Sequence, residues 1–204
     1  MVETPDGLPS RMYLLAYDLR KQRLVHGGRL GYILRAAALT ELYLDGRVVE
    51  EKGRPVPGTP GDDPYGLLAQ LSASRPRTWQ HWVRKDGRAM IRTVRDELER
   101  GGWIRTRPHR VLGVFPGTRV TVRDPRVVKT LWGGASAALR GRPAAHVNSY
   151  DAAAVALAAA GELGTVLPRR DRRRHRRRIA ELTARSGPAA SAVAKVIAQL
   201  RAAA

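Results

Sequence analysis

The chain has 204 residues, 43% of them hydrophobic, enough to bury a core as one domain spanning 1–204. Aromatic residues are only 5%, so Leu, Val, Ile and Ala must fill that core, and the absence of cysteine excludes a disulfide scaffold or a thiolate metal site. The 37 Lys and Arg outweigh 18 Asp and Glu for a net charge of +19, a field that recruits polyanions, either nucleic acid or an anionic membrane face.

The opening stretch MVETPDGLPSRM lacks the basic-then-apolar layout of a signal peptide. Leu8 to Leu19 suggests a short helix with Leu14 and Leu15 inward. Lys21 to Arg29 reads as a basic loop, in which His26-Gly27-Gly28-Arg29 offers backbone N–H groups able to cradle a phosphate. From Leu30 an apolar helix follows, closed by Asp45-Gly46, where glycine suits a left-handed C-cap, and then a short strand over Arg47–Glu50. Arg35 stands near the amino end of that helix, on the side of Ala38, Leu39 and Leu42. A cation there opposes the helix dipole, so Arg35 either snorkels to water or waits with the helix terminus for an anion.

Gly53 to Pro64 is an exposed linker by its Pro and Gly content, and Tyr65 to Ala73 a short apolar helix. Thr78 to Arg84 places Trp79 and Trp82 three apart on one helical face, as core residues. Gly87 to Arg100 is strongly amphipathic, with Ile91, Val94 and Leu98 as its apolar stripe and Gly101-Gly102 as its stop. Arg88, Arg92 and Arg95 share another face at i, i+4 and i+7. Like charges so stacked repel, and a phosphate between them turns that cost into charge-assisted hydrogen bonds; the plainer reading is a solvated face partly neutralised by Asp96 and Glu99.

Trp103 to Val122 reads as a hairpin with Arg107-Pro108-His109-Arg110 at its tip. Helices around Val127–Leu139 and Tyr150–Leu163 precede the run from Pro168 to Arg178, which holds eight arginines and leads into a helix carrying Ile179 and Leu182. The last helix, Ala189–Leu200, offers Val193, Val196, Ile197 and Leu200 for burial. The fold class is therefore mainly α, a single globular helical domain with one prominent β-hairpin.

The five histidines are scattered without the paired spacing of a zinc helix, Asp62-Asp63 reads as a solvated turn, and no nucleophile elbow or phosphate-binding P-loop is present. No catalytic residue, metal site or cofactor is expected, and the protein is not expected to be an enzyme. The longest nearly apolar run, Ala152 to Ala160, falls far short of the ~20 residues that span a bilayer.

LRAAALTELYLDGRV (Leu34–Val48), then RTVRDEL (Arg92–Leu98) running into a glycine-ended helix and a hairpin, resembles the Golgi phosphoprotein 3 family. LPSRMYLLAYDL is similar to that family's first conserved segment, and the likeness in order and spacing extends from about Leu8 to Leu200. The resemblance implies a mostly helical peripheral protein that binds phosphatidylinositol 4-phosphate or a related phosphoinositide on the cytosolic face of a membrane. Arg35 matches the arginine that opens the family's L-R-x-x-x-L helix, and Arg92 and Arg95 match its R-x-x-R pair, which together surround the headgroup. His26 stands nine residues before Arg35, where the family has a Trp; it can hydrogen-bond a phosphate but lacks a flat indole for the inositol ring. The hairpin, apolar at its tip in the family and linked there to membrane contact or self-association, here carries Arg107 and Arg110, which suit anionic phosphates better than acyl chains. With Arg172, Arg173 and Arg176 of the basic run these are the auxiliary membrane contacts expected. The short Arg-rich form is like the bacterial branch, without the eukaryotic amino-terminal extension and its coat-binding arginines. Anionic phospholipids are the expected partners, with cytosolic tails of membrane proteins as the clients the family suggests. The alternative is a nucleic-acid-binding protein, because the Gly87–Arg100 helix plus the hairpin imitates a winged helix, although its outward residues are mostly arginines and acids rather than base-reading amides.

Overall fold

The structure, a computed structural model, describes residues 2–25, 27–111, 115–141 and 143–203, without the side chains of 109–111, 115 and 116. In chain order its elements are α1 (Leu8–Leu15), β1 (Tyr17–Asp18), β2 (Arg23–Leu24), α2 (Gly27–Leu44), β3 (Val48–Glu51), β4 (Arg54–Pro57), α3 (Leu67–Ser72), α4 (Trp79–Arg84) and α5 (Gly87–Arg100). The remainder are β5 (Ile104–Val111), β6 (Phe115–Val122), α6 (Pro125–Arg140), α7 (Ser149–Ala160), α8 (Arg169–Arg174), α9 (Arg176–Ala184) and α10 (Pro188–Ala202), with a 3-10 turn over Ala144–His146. The fold is mainly α, and among the described residues its strands form only three antiparallel two-stranded hairpins.

A helix that is apolar on every side is stable only when surrounded. Helix α2 meets that condition: Leu30, Ile33, Leu34, Ala36, Ala37, Ala38, Leu39 and Leu42 are all buried, against α1, α4, α5, α7 and α10. The small alanines let neighbours approach on several sides, and Gly46, at φ +70°, turns the chain out at its end. The helix begins at Gly27 rather than Leu30, because two glycines that suggest a loop are tolerated in a first turn. That shift moves Arg35 from the amino end to the middle of α2.

Elsewhere the expected boundaries move for local reasons. The first helix ends at Leu15, not Leu19, with Tyr17–Asp18 pairing with Arg23–Leu24. Gly53–Pro64 is not wholly a linker: Arg54–Pro57 pairs with Val48–Glu51 in a two-stranded ribbon, where proline is tolerated at an edge. Trp79 and Trp82 are buried as core, after Thr78 has capped α4 by accepting from the His81 amide at 3.3 Å. In α5 the buried stripe is Met90, Val94 and Leu98, with Ile91 half-buried. Pro108, His109 and Arg110 pair with Thr118, Gly117 and Pro116, so they are not the hairpin tip. Residues 112–114, between the two strands, lie outside the described residues. Val193, Val196 and Ile197 are buried, but Leu200, in the last turn of α10, is 37% exposed. The arginine run is two helices broken at His175, not the approach to one.

Helices α2 and α5 cross at their amino ends without side chains between them. A Cβ on Gly31 would lie 2.6 Å from the Gly87 carbonyl oxygen. Gly31→Ala should therefore lower stability by about 1–3 kcal/mol in urea denaturation, through overpacking of backbone against backbone. Gly28→Ala, with nothing within 4 Å of its Cβ, should leave stability unchanged or raise it by up to about 1 kcal/mol.

Glu41 joins three elements: its carboxylate accepts from the Leu8 amide at 3.3 Å and from the Tyr150 hydroxyl at 2.8 Å. Burial pushes its pKa above the ordinary carboxylate range, against the lowering effect of those two donors. A folded-state pKa raised above the unfolded value of about 4.3 contributes stability below that pH and loses it as pH rises through the folded pKa. Glu41→Gln keeps an acceptor oxygen but cannot titrate, so the wild-type urea midpoint should fall relative to the variant's as pH rises from about 4 through that window.

Candidate functional site

The α2–α5 crossing makes the floor of a depression of about 590 Å³. Its α2 wall is Gly28, Gly31 and Tyr32; Arg88 and Arg92 rise from α5, and Arg84 enters from the end of α4. Arg88 and Arg92 are exposed, one helical turn apart, and among the described residues neither has an ion-pair partner. Arg84 donates to the Gln199 side chain at 2.6 Å, which holds it across α10. Asp86, at φ +52°, is the acid on the wall.

The sequence-derived site residues divide between this depression and its surroundings. Arg92 lines it. Arg35 lies behind it, 2% exposed, and neither snorkels nor faces a helix terminus of its own. Its Nε donates to the Trp82 carbonyl at 3.1 Å and its Nη2 to Gln70 Oε1 at 3.4 Å. The carbonyls of a helix's last turn have no partner within the helix, and a cation is favourable there. Arg35 thus serves the carboxyl end of α4 rather than opposing the amino end of α2. Burial draws its pKa below the ordinary guanidinium value, while the charges of Asp86 and Asp63 push the other way. Asp86 links the two settings, since it borders the depression and balances the buried cation behind it.

Arg95 is not among the residues lining the depression; it pairs with Asp96 at 2.9 Å. His26 lies outside the described residues. Arg107 is exposed on β5, directly opposite Arg119 on β6; Arg110 is in β5, but its side chain lies outside the described residues. Arg173 and Arg176 are exposed and Arg172 half-buried, on α8 and α9, with Asp171 beside them taken up by Arg140 at 3.8 Å. Positive charge around α4 is visible in His81, whose pKa is lowered first by burial and then by Arg77, Lys85 and Arg35.

Sequence reasoning missed Arg84. It stands four residues before Arg88, but the helix breaks between them at Lys85 and Asp86, so helical spacing does not connect them. Gly28, of the glycine pair noted in the sequence, forms part of the wall. Asp63, read as a solvated turn, accepts from the Leu68 amide at 2.6 Å and fixes the start of α3.

Stability separates the two arginines. Arg35→Met strips the Trp82 carbonyl and Gln70 of their donor and should cost about 1–3 kcal/mol in urea denaturation. Arg92→Met, at an exposed position, should change stability by no more than about 0.5 kcal/mol.

A comparison with curated proteins found no match. The sequence model of the family described as Golgi phosphoprotein 3 (GPP34) matches residues 8–200, nearly the whole chain. The order of segments noted in the sequence, the buried α2 and the glycine-ended α5 running into a hairpin all fall within that match, and the chain belongs to the Golgi phosphoprotein 3 family.

Proposed function

We propose that this protein attaches to a membrane from the side by binding anionic phospholipid headgroups in the arginine-lined depression between α2 and α5, with phosphatidylinositol 4-phosphate as the ligand. The observation that carries this reading is the pair of exposed guanidiniums of Arg88 and Arg92 above a floor of bare backbone, without a carboxylate in ion-pair range among the described residues. Two like charges held one turn apart repel, and a phosphate between them replaces that repulsion with charge-assisted hydrogen bonds worth about 1.5–3 kcal/mol each. Family membership supports a headgroup ligand.

In this reading Arg92 and Arg88 touch the phosphate, with Arg84 beside them and Arg95 available if Asp96 releases it. Arg35 is a positioning residue: it holds the end of α4, and therefore Arg84, against α2. Arg107, Arg110, Arg172, Arg173 and Arg176 add attraction to an anionic leaflet, each contributing about 1 kcal/mol near the surface. No helix among the described residues is long and apolar enough to cross a membrane, which fits attachment through charge.

Liposome flotation tests the proposal. Vesicles of phosphatidylcholine doped with phosphatidylinositol 4-phosphate should bind the wild-type chain, and Arg88→Gln/Arg92→Gln should weaken that binding about 10- to 100-fold, or ~1.4–2.7 kcal/mol. Equal binding to every anionic vesicle, unchanged by the double substitution, would leave only net charge and sink the site.

A further inference from the structure

A second basic concavity lies where the β1–β2 turn meets the outer edge of the long hairpin. It measures about 570 Å³, and Lys21, Arg23, Arg119, Gln22, Thr118 and Thr121 are among its walls. All six side chains are exposed. Among the described residues none of the three cations has an ion-pair partner, so this cluster is held together against its own repulsion.

Two further features sharpen that observation. Arg119 stands directly opposite Arg107 across the ladder, and like charges in that relation weaken a strand pair. The turn presenting Lys21 and Arg23 is also fixed rather than loose. The Asp18 carboxylate accepts from the amides of Arg20 and Lys21 at 2.9 and 3.0 Å, and Gln22 occupies the left-handed region at φ +49°. Asp18 Oδ1 takes both amides and closes the turn, and the carboxylate also feels the charge of Lys21 without forming an ion pair with it among the described residues.

We infer that Lys21, Arg23 and Arg119 form a second anion subsite that takes the phosphate of a neighbouring anionic phospholipid. The inference rests on the reading of the α2–α5 depression as a headgroup site. Gly28 on the wall of that depression is five positions beyond Arg23, so their Cα atoms lie at most about 18 Å apart. A leaflet spans such a distance with a few adjacent headgroups, and engaging two of them raises the effective concentration at the second site. A nucleic acid fits less well. Proteins that track a strand use a continuous positive groove, whereas these are two separate concavities, the first with Asp86 on its wall.

The test is vesicle co-sedimentation of the full chain, on phosphatidylcholine vesicles doped with phosphatidylserine, with and without phosphatidylinositol 4-phosphate. Lys21→Gln/Arg23→Gln/Arg119→Gln should lose about 100-fold in affinity, roughly fivefold per cation at an anionic surface. It should keep wild-type affinity for the soluble headgroup glycerophosphoinositol 4-phosphate, which the first site alone binds. Arg54→Gln/Arg75→Gln/Arg77→Gln removes the same charge from other exposed positions and should cost no more than about fivefold. Equal losses in the two triple variants, or no loss in the first, would overturn the subsite while leaving the α2–α5 site standing. Loss of vesicle binding in the Lys21 triple but not in Arg88→Gln/Arg92→Gln would keep the subsite and overturn the headgroup reading. Competition by millimolar inorganic phosphate at constant ionic strength would identify a free-phosphate site, and displacement of vesicles by a DNA duplex through these three residues would identify a nucleic-acid surface; either result overturns the lipid assignment. If the triple variant does not fold, Arg119→Gln alone should still lose about fivefold, and an unchanged affinity refutes the inference.

Discussion

Everything in this molecule is arranged around the requirement that α2 be enclosed. An 18-residue helix with apolar residues on all sides has no face to give to water, so five other helices must close on it. The packing leaves room for one long polar side chain, Arg35, and its presence is tolerated because a neighbouring helix ends beside it with an orphaned carbonyl. The enclosure also brings α5 so near that only two glycines fit at the crossing. The depression is thus a product of core packing, formed over the point where the amino ends of α2 and α5 meet backbone to backbone.

The charge on the surface is sharpened by how the acids are spent. Glu41 and Glu97 accept from Tyr150 and Tyr65, Glu50 from the Trp79 indole, and Glu99 from the Thr106 amide and hydroxyl. Glu162, itself in the left-handed region, ties Arg29 at the start of α2 to Arg201 near the end of α10. Asp124 caps α6 and holds Arg126. With 18 acids against 37 bases, few carboxylates remain to neutralise the outer arginines. A basic surface is what remains when the acids are used as structural acceptors.

Helices with a clear inside and outside were legible from sequence. The bounds of α5 emerged from its stripe and its closing glycines, and the two tryptophans of α4 from their spacing. The same logic failed for α2: a segment apolar all round has no preferred direction, so nothing in its pattern says which side Arg35 faces or what meets it. Its start was hidden because Gly27-Gly28 carries the composition of a loop. The ribbon strand Arg54–Pro57 was hidden by its prolines, which only an edge position permits. Of the candidate site, Arg88 and Arg92 could be read from one helix, whereas Arg84 required knowing how the chain turns at Asp86. The burial of Arg35 is a tertiary fact, set by α4 docking on α2 from 47 residues away.

The Gly31–Gly87 contact bears on how such a depression can diversify. Its floor is peptide backbone, which has the same chemistry whatever the sequence, and no side chain can be added there without separating the helices. If the depression binds an anion as proposed, selectivity must be written in its rim, in the lengths and charges of Tyr32, Arg84, Asp86, Arg88 and Arg92. Substitutions on the rim can therefore alter what the depression holds without disturbing the helix crossing beneath it.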